Sequence, residues 1–176
     1  MEDYIVDEVK GLYKVIQLKE FRKTEGVSFD VLYKNMVPKI HAVDRVVHKN
    51  GAVSPGRINE VERPWYMHYQ QSDNLFVLQG VRYVELYTPN HGKIEKFEVR
   101  PDIIKHNGEI VCDKGSILVW PANVFHRIIS GEDGSASINL ATHYDGFDVK
   151  TNFNIYDVNI EKGKYKVIRE GYKDQM

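Results

Sequence analysis

The feature that most narrows the fold of this chain is its punctuation. Short runs rich in Val, Ile, Tyr and Phe are cut at brief intervals by turn signals: Asn50-Gly51, Asn90-His91-Gly92, Asn107-Gly108, Asp113-Lys114-Gly115, Asp133-Gly134, Asp145-Gly146 and Lys162-Gly163. Gly and Asn reach left-handed backbone conformations at low cost, so these pairs mark chain reversals, and the runs between them suit strands. Many runs alternate. In Arg82-Tyr83-Val84-Glu85-Leu86-Tyr87 one face carries Arg, Val and Leu and the other Tyr, Glu and Tyr, the period of two of a half-buried strand. The pattern predicts strands over 12–21, 27–33, 40–47, 65–69, 75–79, 81–87, 93–99, 109–112, 116–120, 126–130, 135–142 and 152–158. Many short strands separated by turns indicate an all-β sandwich or barrel. Helix is scarce: the best candidate, 4–10, reads equally as coil. The polar tail after Gly163 is expected to pack outside or cross to a partner.

Composition closes off several functions. The chain has 176 residues, the size of one domain, with 24 Lys plus Arg against 25 Asp plus Glu. A net charge of −1 offers no electrostatic track for nucleic acid. Apolar runs such as 117–120 fall far short of the ~20 residues of a membrane span. The opening Met1-Glu2-Asp3-Tyr4 has no apolar stretch, so no secretory signal is expected there. Cys112 is the only cysteine, which excludes an internal disulfide or a multi-cysteine metal site and fits a reducing compartment, the cytoplasm.

Two segments carry chemistry. Gly115-Ser-Ile-Leu-Val-Trp-Pro121-Ala-Asn123-Val-Phe-His126 is a strand, a Pro-started turn and a second strand opening on a histidine. It resembles the second cupin motif, Gly-x5-Pro-x-Gly-x2-His-x3-Asn, with Asn123 at the second Gly and Ser130 at the final Asn. Tyr66-Met-His68-Tyr-Gln70-Gln-Ser-Asp73 running to Gly80 resembles the first, His-x-His-x3–4-Glu-x6-Gly, with Tyr66 at the first His and Asp73 at the Glu. The resemblance implies a double-stranded β-helix, or jelly-roll, barrel.

A second resemblance agrees. The stretch from Tyr13 to Tyr33, with its charged turn ending at Gly26, is similar to the opening of the dTDP-4-dehydrorhamnose 3,5-epimerases, a cupin branch. So are His68-Tyr69-Gln70 and Thr142-His143-Tyr144. It implies an N-terminal strand extension (1–35), a barrel core (about 36–158), a C-terminal tail (159–176) and a homodimer with N-terminal strands packed across the partner. It also implies His68 as base on a sugar ring. The branch's Lys beside the developing enolate falls at Asp73, its acidic Tyr at Asn139 and its anion-binding Arg at Trp65. A carboxylate does not stabilise an enolate by charge, so another donor is required: Arg82, Asn139, Gln70 or a metal.

Three functions therefore stand open. One is a sugar or nucleotide-sugar epimerase or isomerase with His68 and Asp73 catalytic and Tyr66, Gln70, Arg82, Asn139, His143 and Tyr144 around a sugar-like ligand. Another is a metal-dependent cupin dioxygenase or isomerase with one divalent ion on His68, Asp73 and His126, since two imidazoles and a carboxylate suit iron, manganese, zinc or nickel. The third is a non-catalytic sugar-binding cupin. Alternation puts Tyr66, His68 and Gln70 on one face. Asp73 reads equally as a turn carboxylate and His126 as a hydrogen-bonded interior residue. His41, His48, His91 and His106 lie near turns and are expected to be exposed.

Overall fold

The computed structural model describes residues 4–37 and 39–176; Met1, Glu2 and Asp3, which belong to the opening read above, and Pro38 lie outside the described residues. In chain order the strands are β1 (Ile5–Val9), β2 (Tyr13–Gln17), β3 (Lys19–Thr24), β4 (Val27–Val31), β5 (Ala42–His48), β6 (Val53–Ser54), β7 (Trp65–Tyr66) and β8 (Gln71–Tyr87). There follow β9 (Glu95–Val99), β10 (Ile104–His106), β11 (Glu109–Cys112), β12 (Ser116–Trp120), β13 (Phe125–His143), β14 (Ile155–Asn159) and β15 (Lys164–Arg169). A one-turn helix α1 (Val149–Asn152) precedes β14, and a 3-10 turn, Gly171–Asp174, follows β15. No helix among the described residues is long and apolar enough to cross a membrane.

The barrel hangs on β8 and β13, which pair antiparallel from Phe125↔Tyr87 to His143↔Gln71. The first half of β8 carries β12, then β2 and β1; its second half carries β9. β13 carries β5 along its second half and β6 and β7 along its first. The sequence predicted a break in each long strand. Both breaks are instead bulges inside continuous strands, where the register slips between Ser130 and Ser135. Only glycine fits there. Gly80 sits at φ +73°, and a Cβ on it would lie 2.1 Å from the Gly134 carbonyl oxygen.

Packing explains the most apolar run. All of β12 is buried, because Leu118 and Trp120 enter the main core with Val15, Leu75, Val84 and Phe97 while Ile117 and Val119 pack on Ile16, Leu18 and Val37. Other predicted elements differ: the strand predicted over 12–21 is split between β2 and β3, which belong to different sheets, and that over 65–69 ends at Tyr66. Residues 4–10 form no helix: Ile5, Asp7 and Val9 are half-buried and Val6 and Glu8 exposed, and the strand pairs with β2. The stretch predicted at 152–158 begins as strand only at Ile155, since Asp148 caps α1 by accepting from Lys150 N–H. The tail joins the sheet as β15 against β14.

Replacing Gly80 by Ala combines left-handed strain with a backbone clash, and is expected to destabilise the protein by at least about 2 kcal/mol. Urea unfolding should show a lower midpoint at unchanged slope; an unchanged midpoint would show that the corner tolerates a side chain.

Candidate active site

The barrel encloses a cavity of about 410 Å³. His68, Asp73 and His126 meet on its wall, all buried. His68 follows β7, Asp73 is the third residue of β8 and His126 the second of β13. The two motifs lock directly: Asn123 N–H donates to the His68 carbonyl at 2.7 Å, and Asn123, at the Gly position of the motif, adopts φ 67°.

Hydrogen bonds fix what each group presents. His68 Nδ1 lies 2.6 Å from the Asn152 carbonyl and His126 Nδ1 3.2 Å from the Val124 carbonyl. A carbonyl only accepts, so these partners place a proton on Nδ1 in each ring, and a neutral ring then presents Nε2 as a lone pair. Both Nε2 atoms face Asp73 Oδ2, at 3.4 and 4.0 Å. The other Asp73 oxygen accepts from Gln71 Nε2 at 2.6 Å and Asn139 Nδ2 at 2.7 Å. Three acceptor atoms thus converge, all within 4.8 Å of one another. Ligand bonds of about 2.0–2.2 Å imply donor separations of roughly 3–3.6 Å around one ion, so small side-chain shifts would let the set hold a divalent cation.

The electrostatics agree. Burial alone would raise the Asp73 pKa, but the charges of His68 and His126 and the hydrogen bonds from Gln71 and Asn139 outweigh it and hold the carboxyl below its ordinary value. Burial, with the charge of His68, pushes His126 down to about 4. At neutral pH the pair is therefore a carboxylate beside a neutral imidazole, the ligand forms of both.

The surroundings sort the expected residues. Tyr66, Arg82 and Asn139 line the cavity. Gln70, His143 and Tyr144 are placed outside it. The chain turns after His68, so the inward positions run 66, 68, 71, 73; Gln71 takes the place expected of Gln70, whose backbone N–H donates to Asn152 Oδ1. His143 stacks on Phe147 at 3.7 Å, and Tyr144 is exposed with its hydroxyl on Ser72. Of the histidines expected at the surface, His41 is exposed. His48 lines the cavity, and His91 and His106 are half-buried, holding the buried Glu95 at 2.6 and 2.8 Å.

Several site residues escaped the sequence reading. Asn152 not only accepts from His68 but donates through Nδ2 to Gln71 Oε1, whose amide in turn holds Asp73. Phe153 meets the His68 ring edge-on at 5.0 Å. Asp44 accepts from Asn139 Nδ2 at 3.1 Å, and Asp174 and Gln175 from the tail complete the cavity rim.

No family model matches the sequence. No curated protein matches it either. Solved structures do match in shape. The sugar 3,4-ketoisomerase QdtA from Thermoanaerobacterium thermosaccharolyticum, in complex with TDP, aligns with a TM-score of 0.56 at 15% identity over 80% of this chain and 85% of that one. The TDP-fucose-3,4-ketoisomerase WlaRA from Campylobacter jejuni gives 0.54 at 11% identity, over 77% and 84%. The dTDP-4-dehydrorhamnose 3,5-epimerase from Sulfolobus tokodaii gives 0.54 at 19% identity, over 80% and 75%. The fold is thus the all-β cupin fold of sugar ketoisomerases and epimerases.

The buried histidines predict an acid-sensitive fold. Burial, with the Arg82 charge, also pushes His48 down to about 4. The unfolded chain binds these protons near pH 6.5, so it gains protons first on acidification. Stability is then lost as pH falls from about 6.5 to about 4, by roughly 3 kcal/mol for the fully buried His126 and less for the half-buried His48. Urea midpoints of metal-free protein should fall across this window, less so for His48→Gln; a flat profile would contradict it.

Proposed function

We propose that the protein is a metal-dependent cupin isomerase acting on a small polyhydroxy carbonyl compound of the sugar class. The observation that carries this reading is the convergence of two imidazole lone pairs and one carboxylate oxygen on a common point, an arrangement of acceptors that calls for a cation. His68, Asp73 and His126 would hold a divalent ion. Such an ion, when bound, supplies Lewis-acid stabilisation of negative charge on a carbonyl oxygen, the role that the missing Lys has in the resembling epimerases. The solved structures of similar shape support the substrate class: their subjects are TDP-sugar isomerases and epimerases, one of them held with TDP-4-keto-6-deoxyglucose.

The remaining residues have distinct tasks. Asn139 bridges Asp73 and Asp44 through one amide nitrogen, at 2.7 and 3.1 Å, and so fixes both carboxylates on one wall. Asp44, the cavity carboxylate that Asn139 holds beside Asp73, takes the proton from the carbon beside the carbonyl. Tyr66 and Trp120, whose rings lie 5.9 and 5.2 Å from that of His126, present flat surfaces for a sugar ring. Phe153 and the 3-10 turn close the rim against water.

A second reading has its own support. With no ion bound, His68 Nε2 faces the cavity 3.4 Å from Asp73 Oδ2, and His68 would abstract the proton itself, as the resembling epimerases imply. The exposed apolar residues Phe21, Val27 and Phe29 on the β3–β4 hairpin, with Val43 and Val47 on β5, support a homodimer. The buried, unpaired Cys112 supports a cytoplasmic location.

The test is solvent deuterium exchange into neutral and acidic keto sugars, free and TDP-linked, followed by NMR. Exchange beside the carbonyl should fall at least about 100-fold on chelation and in Asp44→Asn. Exchange that survives chelation but is lost in His68→Asn would favour the second reading. Absence of exchange in every compound would overturn both.

A further inference from the structure

Arg82 stands apart among the groups that line the cavity. It is 2% exposed, yet among the described residues no carboxylate pairs with it. Its Nε donates to Ser135 Oγ at 3.1 Å and its Nη2 to the Val46 carbonyl at 3.1 Å, both neutral partners, while Nη1 has none. Burial lowers its pKa only to about 10, so the guanidinium stays charged at neutral pH. A buried charge without a counter-charge opposes folding. Its retention in a cavity wall points to a counter-ion that arrives with a ligand.

The neighbours describe that ligand. On the β5–β13 ladder His48 lies opposite Ser135 and Val46 opposite Ser137, the rungs Arg82 bonds to. His48 Nδ1 and Ser137 Oγ are buried and have no hydrogen-bond partner, and both residues line the cavity. His48 is neutral here, so Arg82 is the single positive charge of the cluster. One charge matches a carboxylate. A phosphate dianion would leave excess negative charge in a cavity that already holds Asp44 and Asp73. The planar guanidinium also suits a planar carboxylate.

We infer that Arg82, with Ser137 and His48, forms a carboxylate subsite, and that the cavity takes a sugar acid: a polyhydroxy monocarboxylate whose carboxylate sits on Arg82. That its carbonyl or hydroxyl end meets His68, Asp73 and His126 rests on the function proposed above; the subsite itself does not.

Isothermal titration with D-glucuronate, D-glucose and inorganic phosphate tests this, on chelator-treated protein and on protein loaded with manganese. Glucuronate should bind at least tenfold more tightly than glucose and more tightly than phosphate, in both forms of the protein. Arg82→Gln should remove that preference. Should Arg82→Gln fail to fold, Ser137→Ala, which spares the buried charge, should weaken glucuronate three- to tenfold without affecting glucose, and glucuronate should shift the Arg82 side-chain NMR signal. Equal binding of glucuronate and glucose, no binding of either, or tighter binding of phosphate would overturn the carboxylate subsite. A preference for glucuronate in protein that takes up no metal would leave it standing and count against the metal-dependent function alone.

Discussion

A carboxylate sealed inside a barrel has to be compensated from every side, and the interior of this protein is arranged around Asp73. One of its oxygens is held by the amides of Gln71 and Asn139; the other faces the ring nitrogens of His68 and His126. The support runs outward in sequence. Gln71 is held by Asn152, which also fixes the proton of His68, and Phe153 packs on the His68 ring. Gly171 then packs on the backbone of Phe153, where a Cβ would come within 2.6 Å. The C-terminal segment is therefore a structural part of the site.

The cavity has two poles of opposite character. Three acceptors gather at one, and an uncompensated guanidinium with unpaired donors and acceptors lies at the other, while Leu75 and Ile128 contribute apolar wall to the same space. Buried groups of this kind work against folding, so their coexistence in one cavity is the mark of a site shaped for a ligand.

The barrel and its central residues were legible in the sequence because local rules write them there. Turn pairs place the strands, and the spacing from Gly115 through Pro121 to His126 fixes one edge of the cavity. Elsewhere tertiary pairing overrode the local signal. The alternation 66, 68, 70 pointed to Gln70, yet the turn after His68 shifts the inward face by one residue and brings in Gln71, since a slip of one position exchanges the faces of a strand. On β5 hydrophobicity misleads outright: Val43 and Val47 are exposed, while Asp44 and His48 face the cavity. Asn152 reaches His68 across 84 residues of chain, a contact no local pattern announces. Gly80 and the 131–134 turn read as strand breaks because a bulge and a hairpin use the same residues.

The central claim is that the three converging acceptors hold a cation, and the most direct measurement is metal content. Protein purified without chelators should contain close to one equivalent of a divalent transition metal by elemental analysis, or take it up on addition, and His126→Ala should contain none. Wild-type protein that holds no stoichiometric metal and takes up none of iron, manganese, zinc or nickel would contradict the account.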